Sequence, residues 1–474
     1  MTGIHWTILT ELLLIAGFLL AVVLIAHILL QKRTPSGTIA WLLIIIFMPY
    51  AGVPLYLLLG GRKMRQRVLE KGELELPCDC DIPLDKASPI DRILRTYHLP
   101  GAEAGHTVRL CRTGAETLEA MTALLQSARR SIYLATFIYQ PDAVGRQIRD
   151  ILAEKAAAGV DVRLMMDGVG SLHTPLRFFR PLTEAGGKVT VFLPVLHRPF
   201  RGRTNLRNHR KITIVDNQTV MAGGANIGRH YMGPEFAGQW KDLAFVMTGH
   251  SVRHWLHIFA RDWEFAAKEP LTEEQLKLPE AVHHHPVTDR DCTLPASGVV
   301  QVIPSGPDVP GDVLHDALLT MIYSAQQRFW AASPYFVPDD ALCQALLLAL
   351  RRGVDVRLVL PRRSNHILPD IVRGIPLRQI QQAGGLVLFY TPRMMHAKVV
   401  LMDNHAAVLG SANLDIRSLL LNYEAAMFVY GRQDIQAVAD YLEDLMLHSQ
   451  CGIAPASLPR QLGESIVRLA SPLL

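Results

Sequence analysis

The feature that most constrains this chain is that it repeats itself. Gly159-Val160-Asp161-Val162-Arg163-Leu164 recurs 194 positions later as Gly353-Val354-Asp355-Val356-Arg357-Leu358. Each copy follows an alanine- and leucine-rich stretch that reads as a helix, and each opens an apolar run that reads as a strand. Upstream, Ile132–Tyr139 and Phe329–Val337 read as strands ending near Pro141 and Pro338. Downstream, His209, Lys211, Asp216, Gly223 and Asn226 recur 187 positions on as His396, Lys398, Asp403, Gly410 and Asn413. A repeat this long is a duplicated domain rather than a solenoid unit. Alternating strands and helices make each copy α/β, with helices flanking a sheet. The expected units run over 105–280 and 298–455. Residues 62–104 and 281–297 read as linkers, and 456–474 as an amphipathic tail, with Leu462, Ile466 and Leu469 at helical spacing.

His209-x-Lys211 and His396-x-Lys398 each lead into an apolar run of strand composition, Ile212–Val215 and Val399–Met402. On a strand, residues i and i+2 share a face, so each histidine should project beside its lysine. A phosphodiester suits such a doubled pair. Two lysines hold the non-bridging oxygens. One neutral imidazole attacks phosphorus, and the other, protonated, serves the leaving alkoxide. The two histidines would then hold opposite protonation states near neutral pH. Each needs an orienting carboxylate. Glu424 follows His396 by 28 residues and Asp242 follows His209 by 33, so these two are the candidates. Asp216 and Asp403, the third members of the repeated motif, fall at strand ends where a tie to the loop is their simplest use.

The doubled pattern H-x-K-x4-D-x6-G-[GS]-x-N resembles the phospholipase D superfamily over roughly residues 110–450. Three further segments narrow the resemblance to the bacterial cardiolipin synthases: Trp41–Ile45 followed by Pro49, Ser333–Pro338, and the terminal Ser471-Pro472-Leu473-Leu474. The resemblance implies two phospholipase D-like domains of mixed sheets in a pseudo-twofold arrangement. It implies phosphatidyl transfer between two phosphatidylglycerols through a phosphohistidine, giving cardiolipin and glycerol, with no cofactor and no metal. His209, Lys211, Asp216, His396, Lys398 and Asp403 would be the catalytic set, His209 the nucleophile and His396 the acid and base. Asn226, Ser411 and Asn413 would bind phosphate. The first copy departs from the pattern with Gly224 where the second has Ser411. The same motifs also serve hydrolases of phospholipids or nucleic acid, transferases using phosphatidylethanolamine, and those making phosphatidylserine.

Composition decides among partners. The chain has 474 residues, 49% hydrophobic and 19% charged, with a net charge of +5. That is too apolar for disorder and too mildly basic to argue for nucleic acid on its own, and the apolar N-terminus favours lipid over nucleic acid. Leu12–Leu30 carries no formal charge over 19 residues, about the span of a bilayer core. Ile39–Leu59 is a second run of 21 residues, interrupted by Pro49, Gly52 and Pro54, which can bend it into a re-entrant turn. No lysine or arginine precedes position 32, so residues 1–61 read as a retained transmembrane hairpin rather than a cleaved signal. Arg62, Lys63, Arg65 and Arg67 follow it and favour a cytoplasmic body on a bacterial inner membrane. Arg198, Arg201, Arg203, Arg207, Arg210 and Lys211 form a basic stretch without acids. Each base near an anionic lipid surface would contribute ~1 kcal/mol, with Phe200 dipping into the interface. Expected partners are therefore the membrane and anionic phospholipids, phosphatidylglycerol and cardiolipin. Cys78-Asp79-Cys80 has no matching second pair and reads as neither a metal nor a redox site, and His283-His284-His285 reads as a solvated turn, not a metal site. Sparse cysteines fit a reducing compartment.

Overall fold

The computed structural model describes residues 2–30, 35–59, 71–77, 87–194, 206–279 and 297–469. Cys78-Asp79-Cys80, Arg62–Arg67, Arg198–Arg203, the histidine triplet and the terminal Ser-Pro-Leu-Leu lie outside the described residues.

Two sheets form the body. The first joins β1 (Thr107–Cys111), β2 (Ser131–Thr136), β3 (Asp161–Asp167), β4 (Lys188–Phe192), β5 (Ile212–Val215), β6 (Thr219–Gly223) and β7 (Ala244–Thr248) in the order β1-β7-β6-β5-β2-β3-β4. The second joins β8 (Val300–Ser305), β9 (Arg328–Ala332), β11 (Asp355–Pro361), β12 (Leu386–Tyr390), β13 (Val399–Met402), β14 (Ala406–Gly410), β16 (Glu424–Val429) and β17 (Ser449–Cys451) in the order β17-β12-β11-β9-β13-β14-β16-β8. Read from the β8 end, the second order matches the first strand for strand, with β17 added at the edge. In each half three strands run parallel and the rest antiparallel. Both sheets are therefore mixed, as the resemblance implied.

Two of the expected strands are cut short. β2 stops at Thr136, and Tyr139 makes only an isolated bridge to Ile227. The run 329–337 divides into β9 and a two-residue β10 (Phe336–Val337), because Pro334 cannot donate to the ladder. β10 then pairs with β15 (Leu414–Asp415).

Packing follows the apolar pattern. One face of the first sheet covers helices Gly114–Ser127 and Ala143–Ala157. Their first turns are capped by Thr113 and Asp142, whose side chains accept from Glu116 N and Gly145 N. The other face packs on helix Val252–Ala267 and belongs to a core that continues into the second half. Residues described within 71–104, expected as linker, are packed into that shared core through Leu74, Leu76, Ile90, Leu94 and Leu99. Helix Pro89–Thr96 lies there against helix Val313–Ser324.

The N-terminal helices are Thr2–Leu30, Pro35–Phe47 and Pro49–Leu59. Leu24, Ile28, Trp41, Ile45 and Tyr56 pack together among them. The second apolar segment is broken at Met48, as its prolines suggested. A Cβ on Gly52 would lie 2.6 Å from the Ile44 carbonyl oxygen, so only glycine allows the helices to fold back this closely. The broken helix is the main difference from a simple pair of spans. Among the described residues no helix is long and apolar enough to cross a membrane.

Candidate active site

His209 and Lys211 lie in the extended lead-in to β5, and His396 and Lys398 in the lead-in to β13, one step before the expected strand positions. Alternation still sorts the side chains. His209 and Lys211 face the site, while Arg210 points the other way and is fully buried.

Each lead-in is stitched to the opposite half. His209 N donates to Tyr423 O at 2.9 Å, and Tyr423 N donates to Arg207 O at 2.9 Å. His396 N donates to Lys241 O at 2.7 Å, and Lys241 N donates to Met394 O at 2.8 Å. Tyr423 precedes Glu424 and Lys241 precedes Asp242, so each short bridge sets a carboxylate beside a histidine. The pairing is crossed. His209 Nδ1 lies 3.0 Å from both Glu424 oxygens, and His396 Nδ1 lies 2.6 Å from Asp242 Oδ2. Proximity in sequence had suggested carboxylates serving their own half. Instead each serves the histidine of the other.

With Nδ1 held, Nε2 of each ring is the atom left for chemistry. Among the described residues no protein hydrogen bond is made to His209 Nε2, whereas Lys398 Nζ lies 2.8 Å from Nδ1 and 3.2 Å from Nε2 of His396. Lys211 Nζ donates to His209 O at 2.6 Å. Aromatic walls complete the cluster. Phe137 meets His209 edge-on at 4.8 Å, and Tyr231 and Trp240 lie 5.3 and 5.2 Å from His396. The sequence motif did not single out these three rings. Only Trp240, two residues before Asp242, carried a positional hint.

Burial dominates the electrostatics. It lowers His209 to about 4 and His396 to about 3, although Glu424 and Asp242 push the other way. It likewise lowers Lys211 to about 7 and Lys398 to about 8. Burial alone would raise both carboxylates. Burial is the largest single effect on each, but the Lys398 charge with the hydrogen bonds of His396 and Leu243 N at Asp242, and the His209 and Ser411 hydrogen bonds with the Lys211 charge at Glu424, together hold both below the ordinary range. Without a ligand, burial therefore favours the neutral form of both imidazoles. An anionic ligand between the lysines is what would restore charge to one of them.

Other residues fall elsewhere. Asp216 and Asp403, grouped with the catalytic set by the motif, stand at the far ends of β5 and β13. Asp216 accepts from the backbone N–H groups of Arg129, Arg130 and Ser131, and Asp403 from those of Gln326, Gln327 and Arg328. Both sit at positive φ, 53° and 49°, in the turn. They tie strand ends to the neighbouring chain and touch neither histidine. Ser411 donates to Glu424, Asn226 accepts from Ile138 N at 3.0 Å, and Asn413 donates to Ser418 Oγ at 3.2 Å. All three proposed phosphate binders have protein partners. Gly224 has its own reason: a Cβ there would lie 2.1 Å from Asp242 Oδ1. The serine–glutamate pair of one half is matched by a glycine–aspartate pair in the other. Arg207 and Arg210 are not free for headgroups. Arg207 lies 3.6 Å from Asp167, and Arg210 pairs with Asp262 at 2.7 Å and Asp308 at 3.3 Å.

Paired histidine–lysine units related by an internal repeat define the class, the phospholipase D superfamily. A cardiolipin synthase, PLD-like domain family matches residues 121–263 and 318–446, and a phospholipase D-nuclease N-terminal family matches 19–61. The chain belongs to the bacterial cardiolipin synthase family. It is 31% identical to the major cardiolipin synthase ClsA of Bacillus subtilis strain 168, over 99% of each chain. It is 33% identical to the cardiolipin synthase of Geobacillus thermodenitrificans strain NG80-2, over 96% of this chain and 92% of that one. The crystal structure of phosphatidylserine synthase from Haemophilus influenzae Rd KW20 aligns with TM-score 0.62 at 17% identity, covering 82% of this chain and all of that one. That last likeness concerns the fold.

Proposed function

We propose that this chain condenses two phosphatidylglycerols into cardiolipin and glycerol, with His209 as nucleophile. Family membership supports the reaction. The observation that carries the role of His209 is its open Nε2, opposite a His396 that already shares its ring with Lys398. A phosphodiester enters between Lys211 and Lys398, whose cationic forms its charge stabilises, and the site takes up a proton at His396. His209 Nε2 forms a bond to phosphorus. The bond from phosphorus to the glycerol oxygen breaks, and His396 gives that oxygen its proton. Neutral His396 then accepts the proton of the terminal hydroxyl of a second phosphatidylglycerol. The new phosphorus–oxygen bond forms as the phosphorus–nitrogen bond breaks. Glu424 and Asp242 keep both rings aimed throughout.

The apolar segment Leu12–Leu30 and the bases after position 61 support anchoring by residues 1–61 in the cytoplasmic membrane, with 105–280 and 298–455 as the catalytic units on the cytoplasmic side. Purified protein in detergent with phosphatidylglycerol should yield cardiolipin by mass spectrometry. Phosphatidic acid without cardiolipin would rule out the synthase reading. His396→Ala should still accumulate a covalent phosphatidyl adduct, whereas His209→Ala should not. An adduct on the His209→Ala protein would reassign the nucleophile.

A further inference from the structure

The C-terminal helix Leu458–Leu469 is mounted with its apolar side outward. Positions 458, 462 and 466 form one stripe of a helix, and Leu458, Leu462 and Ile466 are 81%, 64% and 59% exposed. Glu464, on the opposite side, is 3% exposed. Its carboxylate accepts from Arg378 and from Arg460 Nε at 3.0 Å, and it packs on Gly374, where a Cβ would meet Oε1 at 2.6 Å. A helix on the surface of a water-soluble protein does the reverse, burying its leucines and exposing its charges.

The short helix Ile367–Val372 packs beside it and adds exposed Ile367 and Leu368 to the patch. Arg362 and Arg363 are exposed at its edge, and the Arg460 side chain is more than half exposed. Such a combination of apolar stripe and basic rim matches an anionic lipid surface. The patch also leads to the site. Asn365 accepts from the Tyr335 hydroxyl, the His366 ring lies 5.5 Å from that of Tyr335, and helix Ile367–Val372 packs on β10, which pairs with β15 directly after Asn413 of the second motif. The loop after β3 is the counterpart, by the repeat, of the loop after β11. It too exposes apolar side chains, Val169, Leu172 and Leu176.

We propose that the face formed by Leu458, Leu462, Ile466, Ile367 and Leu368 lies on an anionic phospholipid bilayer and holds the approach to the site at headgroup level. Only the choice of a bilayer as occupant rests on the lipid reading above. The test uses the full chain in vesicles of phosphatidylglycerol and phosphatidylcholine, with photoreactive benzoylphenylalanine replacing Ile466. Illumination should attach lipid to the protein. Cross-linked protein dimers would overturn the proposal in favour of a second copy, and absence of any adduct would overturn it outright. In parallel, Leu462→Glu/Ile466→Glu should slow turnover on vesicles about tenfold or more, yet stay within about twofold of the parent in detergent micelles. Equal rates on vesicles, or equal loss in both media, would count against the proposal. Failure of the parent protein to make cardiolipin would challenge the reaction instead, because the cross-link reads contact without turnover.

Discussion

Glu424 is the residue whose role changes most between sequence and structure. It lies 28 positions after His396 and serves His209. Its charge keeps the Nδ1–H tautomer of His209 and steadies positive charge on the ring as phosphorus is attacked. Glu424→Gln preserves shape and removes that charge. We expect kcat to fall by about 10²–10⁴-fold with a small change in KM, and adduct formation at His209 to slow in single-turnover experiments. A rise in KM alone would mean that Glu424 binds substrate rather than orienting the ring. The lysines predict a pH effect. In the substrate-free site they titrate at about 7 and 8, below the ordinary value of 10.5, because burial disfavours the ammonium. Their cationic forms bind the phosphodiester, so kcat/KM should fall as pH rises through that window. A profile flat from pH 6 to 9 would contradict it. Charge counting could not show this, nor that Arg207 and Arg210 are spent on buried aspartates.

At the level of elements, the repeated lead-in and strand were readable because alternation and register survive in a linear pattern. The crossed bridges were not. A sequence gives the distance from His396 to Glu424 along the chain, but not which half's strand edge the backbone N–H of His209 meets. The glycine at position 224 belongs to the same difficulty: it reads as a lapse from a pattern until the space beside it is seen to hold Asp242. The motif aspartates were half legible. Their place after a four-residue run of strand composition marked a strand end, and the backbone amides they accept from come from a distant segment. Asp403, 2% exposed, takes three such bonds. Asp403→Asn should therefore cost about 1–3 kcal/mol of stability, seen as a lower Tm, while kcat of the folded protein changes only a few-fold. A thousandfold loss of kcat at unchanged Tm would put the residue back in the chemistry.

At the scale of the molecule, the crossed carboxylates mean that neither half holds a complete histidine–carboxylate pair, so activity depends on how the halves dock. A buried charge cluster guards that docking. Lys71, from the segment following the N-terminal helices, pairs with Asp262 and, at 2.6 Å, with Asp308. Arg210, between the two site residues of the first motif, pairs with the same aspartates, and Asn208 donates to Asp262 at 2.8 Å. Lys71, Arg210, Asp262 and Asp308 are all buried, and two cations balance two anions. Arg210 and Asp262 come from the first half and Asp308 from the second, so the cluster ties three parts of the chain together beside His209. Burying ions is costly, and the cost is offset only while every charge keeps its partner. Asp308→Asn alone should destabilise the protein by about 3–5 kcal/mol, as should Lys71→Met alone. Removing both together leaves Arg210 with Asp262, a neutral pair. The double variant should therefore be more stable than the sum of the single effects, with a coupling of at least ~1 kcal/mol in a thermal-unfolding cycle. Strict additivity would show that the charges do not act as one unit. In that case the docking of the halves would have to come from the shared apolar core alone.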